Sequence, residues 1–353
     1  MLKQALDAKA YISPKVYKKE IKRIFATTWQ YVGHIEKVQQ PGDFFVCEVA
    51  GESLIVMRGN DDELRGFYNV CAHRATRLLS GEGCKRRISC PYHGWTYDQA
   101  GELIRVPNGE SIPGFKLADY RLGQCRVAEL HGMIFVNLDA QCDDLQATMP
   151  GLEALLKSYS PRLPELRFAH RTEALLETNW KVAVENYSEC YHCALVHKSF
   201  FAASEADGVD ASSYRIDLRG NWHLHTAEAF NQDSEVDHAN QFAAWWLWPN
   251  FAVQSHPGCV LNVRKWTPLS CDRTRVEVDW YFLPGEFGED ELKMVEHHAV
   301  TVFAEDIPLV EDVQKGLHSR SYEPGPLMID PEGTERSEHA VGDIQNLWRQ
   351  SMA

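Results

Sequence analysis

The sequence has no apolar run approaching the roughly 20 residues of a helical membrane span, so no membrane-spanning helix is expected. Positive charge is scarce: 36 Lys and Arg against 50 Asp and Glu leave a formal net charge of −14 over 353 residues. Such a chain lacks the cationic surface that nucleic-acid phosphates or anionic bilayers attract, so neither is expected as a partner. The one local reversal lies in the first 25 residues, with seven Lys or Arg against two acids, and reads as a solvated helix face. That opening stretch also lacks the apolar segment of a secretory signal, and the expected location is cytoplasmic. Internal repeats and low-complexity segments are missing. So is the Gly-rich strand-to-helix turn of a dinucleotide fold, and the chain is not expected to bind a dinucleotide by such a motif.

Cysteine, by contrast, is plentiful. There are ten, at 47, 71, 84, 90, 125, 142, 190, 193, 259 and 271. A reducing compartment disfavours disulfides, so metal ligation is the reading for any that stand near histidines at ligand-like spacing. Two groups do: Cys71 to His93 and Cys190 to His197. The other six are expected to behave as buried small hydrophobes.

The pattern changes near residue 145. From about 42 to 140, short apolar runs cut by turn signals (DFFVCEVA, GESLIVMRG, LRGFYNVCAHR, HGMIFVNLD) predict a small all-β domain. Beyond it, strand-like runs such as RVEVDWYFL alternate with helical ones, predicting an α+β region with long antiparallel strands. NWKVAVENYSECYH starts a helix after Thr178 or Asn179 as cap, and EDIPLVEDVQKGL sets Ile307, Val310, Val313 and Leu317 near one helical face.

Cys71-Ala-His73 and Cys90-Pro-Tyr-His93 are separated by sixteen residues. Two such loops can converge on one site. A Cys2His2 zinc site is the structural alternative, although it usually places two Cys together and then two His. One thiolate and one imidazole per loop suits a Rieske [2Fe–2S] cluster, with both thiolates on one iron and both imidazoles on the other.

In ECYHCALVH, Cys190, His192, Cys193 and His197 could make a zinc knuckle, but four ligands within eight residues of a helix and its end close awkwardly around one ion. His192, His197 and one distant carboxylate would instead form the facial triad that leaves positions open on Fe(II) for dioxygen. Glu189 and His192 are i, i+3 neighbours.

Around these residues the chain resembles the oxygenase (α) subunits of the Rieske non-haem iron, ring-hydroxylating oxygenases. NVCAHRATRLLSGEG and CPYHGWTYDQAGELIRVP are similar to their Rieske domain; Tyr92 stands before His93, and neither loop carries the further cysteine of respiratory-chain Rieske proteins. Ala72 and Ala75 flank His73-Arg74 where relatives often have Pro and Gly. The resemblance implies Cys71, His73, Cys90 and His93 as cluster ligands and His192 and His197 as iron ligands. It implies Asp306 as the third ligand, because Asp306, Glu311 and Gln314 fill the slots of the D-x4-E-x2-Q pattern while the competitor Asp312 has none. Glu305 and Asp312 then read as solvated helix charges. Glu189 falls on the acid that bridges a Rieske histidine to the mononuclear site; Glu rather than Asp there, in ECYHC, looks like the branch with carnitine and glycine betaine monooxygenases.

The same resemblance implies an N-terminal helical segment over 1–27 that packs with the catalytic domain, a Rieske domain over 28–145 and a catalytic domain over 146–353. The fold implied is α+β: a small all-β domain plus a catalytic domain with a large antiparallel sheet and covering helices, of the helix-grip type. It further implies a homotrimer in which the cluster of one subunit serves the iron of the next, fed by a separate NAD(P)H-dependent reductase.

Substrate choice rests on less. Six of the ten tryptophans lie between 222 and 280, with Trp245, Trp246 and Trp248 together. Alternating aromatics on a strand pack cores, but Trp faces also hold quaternary ammonium groups. A small quaternary ammonium substrate such as a betaine or carnitine leads; an aromatic-ring or aryl-substituent hydroxylase, with the same residues as an apolar slot, is the alternative.

Overall fold

The computed structural model describes residues 2–197, 209–228, 242–256, 260–300 and 302–353, so Cys259 lies outside it. The chain forms two compact units: Ile21–Leu145, and a larger one that joins Met1–Glu20 to Gln146–Ala353.

The smaller unit is all-β. Its seven-stranded antiparallel sheet runs in the order Gln30–His34, Met133–Asn137, Gln124–Leu130, Leu64–Tyr68, Glu52–Arg58, Asp43–Val49, Glu82–Cys84, and a three-stranded sheet joins Ile88–Ser89, Thr96–Tyr97 and Leu103–Arg105. Strand alternation sends successive side chains to opposite faces. Leu54 and Val56 therefore enter one core with Phe45 and Ile134, while Ile55 and Met57 enter another with Phe67, Trp95 and Tyr97. Cys71 and Cys90 belong to the second core. Ile24 and Phe25 are buried and Asn137 reaches the Thr27 carbonyl, so the N-terminal stretch changes unit after Glu20 rather than after residue 27.

The larger unit is built on a seven-stranded antiparallel sheet. Its strands are β1 (Arg167–Leu176), β2 (Arg215–Leu218), β3 (Trp222–Ala227), β4 (Phe242–Leu247), β5 (Phe251–His256), β6 (Val260–Pro268) and β7 (Thr274–Phe282). Their order across the sheet is β1-β7-β6-β5-β4-β3-β2. His225, Ala244, Gln254 and Asn262 stand side by side across β3 to β6 and share one face. Helices Trp180–Tyr187, Val302–Leu317 and His339–Met352 accompany the sheet. Among the described residues, no helix is long and apolar enough to cross a membrane.

The helix Trp180–Tyr187 starts where the sequence places it. The Asn179 side chain accepts from the Lys181 backbone N–H, a cap that satisfies one of the free amides of the first turn. Lys181 is fully buried, and so is its partner Glu20 at 2.6 Å. Glu20 also accepts from the indoles of Trp180 (3.2 Å) and Trp348 (2.6 Å). A buried charge is tolerated only when paired and hydrogen-bonded, and this set ties the N-terminal segment to the helices Trp180–Tyr187 and His339–Met352. In helix Val302–Leu317 the apolar face is narrower than expected: Val310 and Leu317 are buried, while Val313 is half exposed.

Candidate metal centres

In the smaller unit two loops close in the same way. The Cys71 N–H donates to the Thr76 carbonyl (2.9 Å) and the Ala75 N–H to the Cys71 carbonyl (3.0 Å); the Cys90 N–H donates to Trp95 (2.7 Å) and the Gly94 N–H to Cys90 (3.1 Å). Each turn contains a left-handed residue, Ala75 at φ 57° and Gly94 at φ 70°. Both cysteines are buried, whereas His73 is exposed and His93 half-buried. The imidazoles meet edge to face with centroids 4.7 Å apart, and His73 stacks on Trp95 at 4.8 Å. Tyr97, which the motif reading did not single out, hydrogen-bonds the Cys71 sulfur (3.3 Å) and accepts from the Ala72 N–H (3.0 Å). Burial opposes ionisation of Cys90, but the backbone N–H groups of His93 and Tyr92 bring its thiol below the usual range.

These four side chains do not gather as the ligands of a single ion. Among the described residues, the sole group of three or more His, Cys, Asp or Glu with ligand atoms within 4.8 Å of one another is a different one. Ligands about 2.0–2.3 Å from one tetrahedral zinc would lie closer together than that. Two thiols inside and two imidazoles outside fit a [2Fe–2S] cluster, and the buried Nδ1 of His93 is without a hydrogen-bond partner, as a metal ligand would be.

The compact group is His192, His197 and Asp306, in the larger unit. The two Nε2 atoms face each other at 3.2 Å and share one carboxylate oxygen, Asp306 Oδ1, at 3.4 and 3.0 Å. Each ring is steered from behind. His192 Nδ1 meets Glu189 Oε1 at 2.5 Å, and His197 Nδ1 meets Glu305 Oε2 at 2.9 Å. Glu305 is therefore not a free solvated charge: it orients His197, a role that spacing alone did not reveal. Asn186, also unanticipated, stands 3.4 Å from both His192 Nε2 and Asp306 Oδ1. Burial opposes charge on His192, but hydrogen bonds to Asp306 and Glu189 raise its pKa to about 9. Burial likewise opposes ionisation of Asp306, and the two histidines outweigh it, holding its carboxyl at about 2. Two imidazole nitrogens and a carboxylate oxygen that converge in this way fit one divalent cation with open positions.

Asp306 is brought to the histidines by its own helix. Glu311 accepts from the Glu177 N–H (3.1 Å), Gln314 from the Asn179 N–H (3.0 Å), and the Val310 carbonyl from the Thr178 hydroxyl (3.0 Å). The two other acid and amide slots of the motif thus clamp the start of the histidine-bearing segment. Asp312 points to solvent, paired with Lys315 at 2.7 Å.

Cys190 and Cys193 are joined in a disulfide, contrary to the expectation of reduced thiols, and two sulfurs so bonded cannot serve a zinc knuckle. The remaining described cysteines are less buried than expected: Cys84 is exposed, and Cys47, Cys125, Cys142 and Cys271 are half-buried.

A cavity of about 110 Å³ adjoins His192, His197 and Asp306. Its walls include Tyr187, Tyr214, Phe242, Ala244, His225 and Arg264. Burial lowers His225 to about 3, so that ring is neutral, and Nδ1 is held by the Tyr214 hydroxyl at 2.9 Å. Arg264 lies over the rings of Tyr187 (5.1 Å) and Trp266 (5.8 Å). Trp245, Trp246 and Trp248 are all buried, and none is a wall. Strand alternation turns Trp245 to the opposite face of the sheet, edge-on to Tyr159, and leaves Ala244 at the cavity. Trp246 packs on His223 and Trp248, and Trp248 on Trp180. The expected indole box is sheet packing, and among the described residues the benzene-type rings at the cavity are Tyr187, Tyr214 and Phe242.

Residues 28–116 match the model of the Rieske [2Fe-2S] domain, and residues 163–353 that of the ring hydroxylating alpha subunit (catalytic domain). The chain is 33% identical to the carnitine monooxygenase oxygenase subunit of Escherichia coli K12 over 98% of this chain and 93% of that one. It is 30% identical to the chloroplastic choline monooxygenase of Beta vulgaris, over 89% and 71% of the two chains. The crystal structure of the quaternary ammonium Rieske monooxygenase CntA with its substrate L-carnitine superimposes with a TM-score of 0.89 at 32% identity, covering 100% of this chain and 96% of that one. Two loops built for a two-iron cluster, a two-histidine-one-carboxylate group on a helix-covered antiparallel sheet and this full-length similarity agree: the chain belongs to the Rieske ring-hydroxylating oxygenase α-subunit family, enzymes that incorporate molecular oxygen.

Proposed function

We propose that this chain is the oxygenase component of a multi-component monooxygenase that oxidises a small zwitterionic quaternary ammonium compound of the betaine or carnitine kind. The observation that carries the reading is the composition of the cavity wall. Tyr187, Tyr214 and Phe242 place aromatic rings at the wall where an onium group can meet them, the neutral His225 does not repel it, and Arg264 brings a guanidinium for a carboxylate. A cavity of about 110 Å³ suits a compact molecule. The similarity to enzymes named for carnitine and choline supports the same class.

In this reading Cys71, Cys90, His73 and His93 hold the cluster, and His192, His197 and Asp306 hold Fe(II). The metals supply electron transfer and oxygen activation when bound. The chain's own residues do the rest. The wall holds the substrate with a carbon beside nitrogen toward the iron site. The balance is substrate C–H plus O2, NAD(P)H and a proton, giving C–OH, water and NAD(P)+; a hydroxyl on that carbon then expels the amine and leaves an aldehyde, as demethylation or C–N cleavage. The reductant enters through a separate reductase in the cytoplasm, where NAD(P)H is held.

Glu189 is assigned as the bridge between His93 of one subunit and His192 of the next in a head-to-tail homotrimer. Its carboxylate fixes His192 Nδ1 through one oxygen and accepts from the Tyr191 and His192 N–H groups through the other, which leaves a lone pair on Oε1 for a second imidazole. Glu189→Gln should keep both metals and lose nearly all turnover.

The test is a panel of carnitine, γ-butyrobetaine, glycine betaine, choline and benzoate with a reconstituted reductase, scored by substrate-dependent NADH use and product mass spectrometry. Turnover of the carboxylated onium compounds above choline, with benzoate inert, is expected. Brisk benzoate hydroxylation with inert betaines would replace this reading with the aryl-hydroxylase alternative.

A further inference from the structure

The segment that carries His192 is closed on itself. Cys190 and Cys193 are disulfide-bonded, their backbones are joined by the Cys193 N–H donating to the Cys190 carbonyl (3.1 Å), and Tyr191 and His192 are the two residues inside the ring. No other described cysteine is in a disulfide. Both sulfur-bearing residues are buried, with Val209, Tyr214 and Ala340 around them, and both line the cavity beside His192, His197 and Asp306. A small oxidant or reductant entering that cavity therefore meets this pair.

We propose that Cys190 and Cys193 form a reversible redox modification site whose state sets how firmly His192 is held, an inference that rests on the ligand role assigned to His192 above. Closing the pair takes two thiols and one hydrogen peroxide: the O–O bond breaks, an S–S bond forms, and the two electrons and two protons leave in two waters. Opening it takes a dithiol, which attacks one sulfur, passes through a mixed disulfide and departs as its own cyclic disulfide, leaving both cysteines protonated. With the bond closed, the chain on either side of His192 has few conformations, and the structure shows all three ligand atoms gathered in that state. Opening the bond restores freedom to the turn. Glu189 still holds His192 Nδ1, so the ring is loosened rather than lost, and the expected readout is a rate of iron release.

The experiment divides the iron-loaded enzyme into a portion treated with dithiothreitol and one treated with stoichiometric hydrogen peroxide. Each is freed of reagent, then read by thiol alkylation with peptide mass spectrometry and by iron transfer to a chelator, with the visible absorption of the cluster followed as a control. Expected is a peptide alkylated at both positions after dithiothreitol, the same peptide linked and unalkylated after peroxide, and severalfold slower release of the mononuclear iron from the linked form. Returning the linked sample to dithiothreitol should restore the fast rate. A Cys190→Ser, Cys193→Ser double variant should release iron at the fast rate after either treatment; the two wild-type arms decide the matter alone if that variant does not accumulate. Cysteines that both alkylate after peroxide, or equal release rates from linked and unlinked enzyme, overturn the proposal. An enzyme with no mononuclear iron to release overturns the ligand reading instead, because the thiol map is scored independently of iron.

Discussion

The two candidate metal centres solve the same problem, holding side chains still, by opposite routes. In the smaller unit four candidate ligands sit on two short loops, each fixed by its own pair of backbone hydrogen bonds, and the cysteines are buried in the core those loops cover. In the larger unit one short segment supplies two candidate ligands and the distant helix Val302–Leu317 supplies the third, through the clamp that Glu311, Gln314 and Val310 make on residues 177–179. The first site is local geometry repeated; the second is a tertiary arrangement. Damage to the first should therefore remove a ligand, whereas the second can also be damaged at a distance.

The largest effects test the separateness of the two centres. His73→Ala or Cys90→Ala should abolish the Rieske absorption and electron-paramagnetic-resonance signals. Asp306→Ala should abolish mononuclear iron and all oxygenation while those signals persist, and Asp312→Ala should do neither. Metal analysis beside the spectra checks this, and an iron-deficient Asp312→Ala with an active Asp306→Ala would reverse the choice of third ligand. One step down in size, Glu305→Ala should weaken the mononuclear iron by about 10–100-fold, because a carboxylate behind a ligating imidazole fixes its orientation. Titrated affinity equal to the unaltered enzyme's would show that the Glu305–His197 contact holds nothing.

That contrast also explains what could be read without a structure. Cys71, His73, Cys90 and His93 were legible because local loops carry their whole geometry in sequence spacing. His192, His197 and Asp306 needed a motif with fixed offsets, and the structure shows the physical content of those offsets: Glu311 and Gln314 are clamps. Glu305 and Asn186 were not legible, since an acid in a helix beside other acids carries no sign of which way it faces. The tryptophan box failed for a related reason. Composition located six indoles between 222 and 280, but which face of β4 meets the cavity depends on sheet register, and register chose Ala244. The Cys190–Cys193 link escaped because compartment, rather than proximity, governed the reading of cysteine.

A pH experiment probes the larger unit behind its metal site. Glu185, one turn before Glu189, is held by the Tyr11 hydroxyl (2.9 Å) and by Gln345 (3.2 Å) and lines a second hollow of about 330 Å³ with Glu189, His192 and Glu338. Burial raises its carboxyl to about 7, with the Glu338 charge adding to the shift. A group whose folded pKa is raised contributes stability that is fully present below its unfolded value of about 4.3 and is lost as pH rises through about 7. Glu185→Gln carries no charge to bury, so its stability relative to the unaltered protein should improve between pH 4.5 and 8, by on the order of 2 kcal/mol. Denaturant midpoints at several pH values measure it; a difference that does not change with pH would mean that Glu185 titrates as a solvated acid.

The smallest expected effect sharpens the comparison inside the smaller unit, between its two matching loops. Ala75 and Gly94 occupy equivalent turn positions, yet only one is glycine, and Ala75 carries its methyl group at φ 57°. A left-handed residue with a Cβ costs about 1–2 kcal/mol, partly offset by the freedom glycine loses on folding. Ala75→Gly should therefore stabilise the smaller unit by roughly 0.5–1 kcal/mol without touching a ligand. Gly94→Ala should do the reverse and somewhat more, because its new Cβ would add the same strain and also meet the Pro107 ring at 3.2 Å. Thermal melting followed at the cluster's visible band reads both variants on one instrument. If Ala75→Gly is neutral or destabilising while Gly94→Ala destabilises, the loops share a hydrogen-bond pattern but not a conformational demand, and the alanine at 75 is favoured for a contact of its side chain rather than tolerated in spite of its backbone.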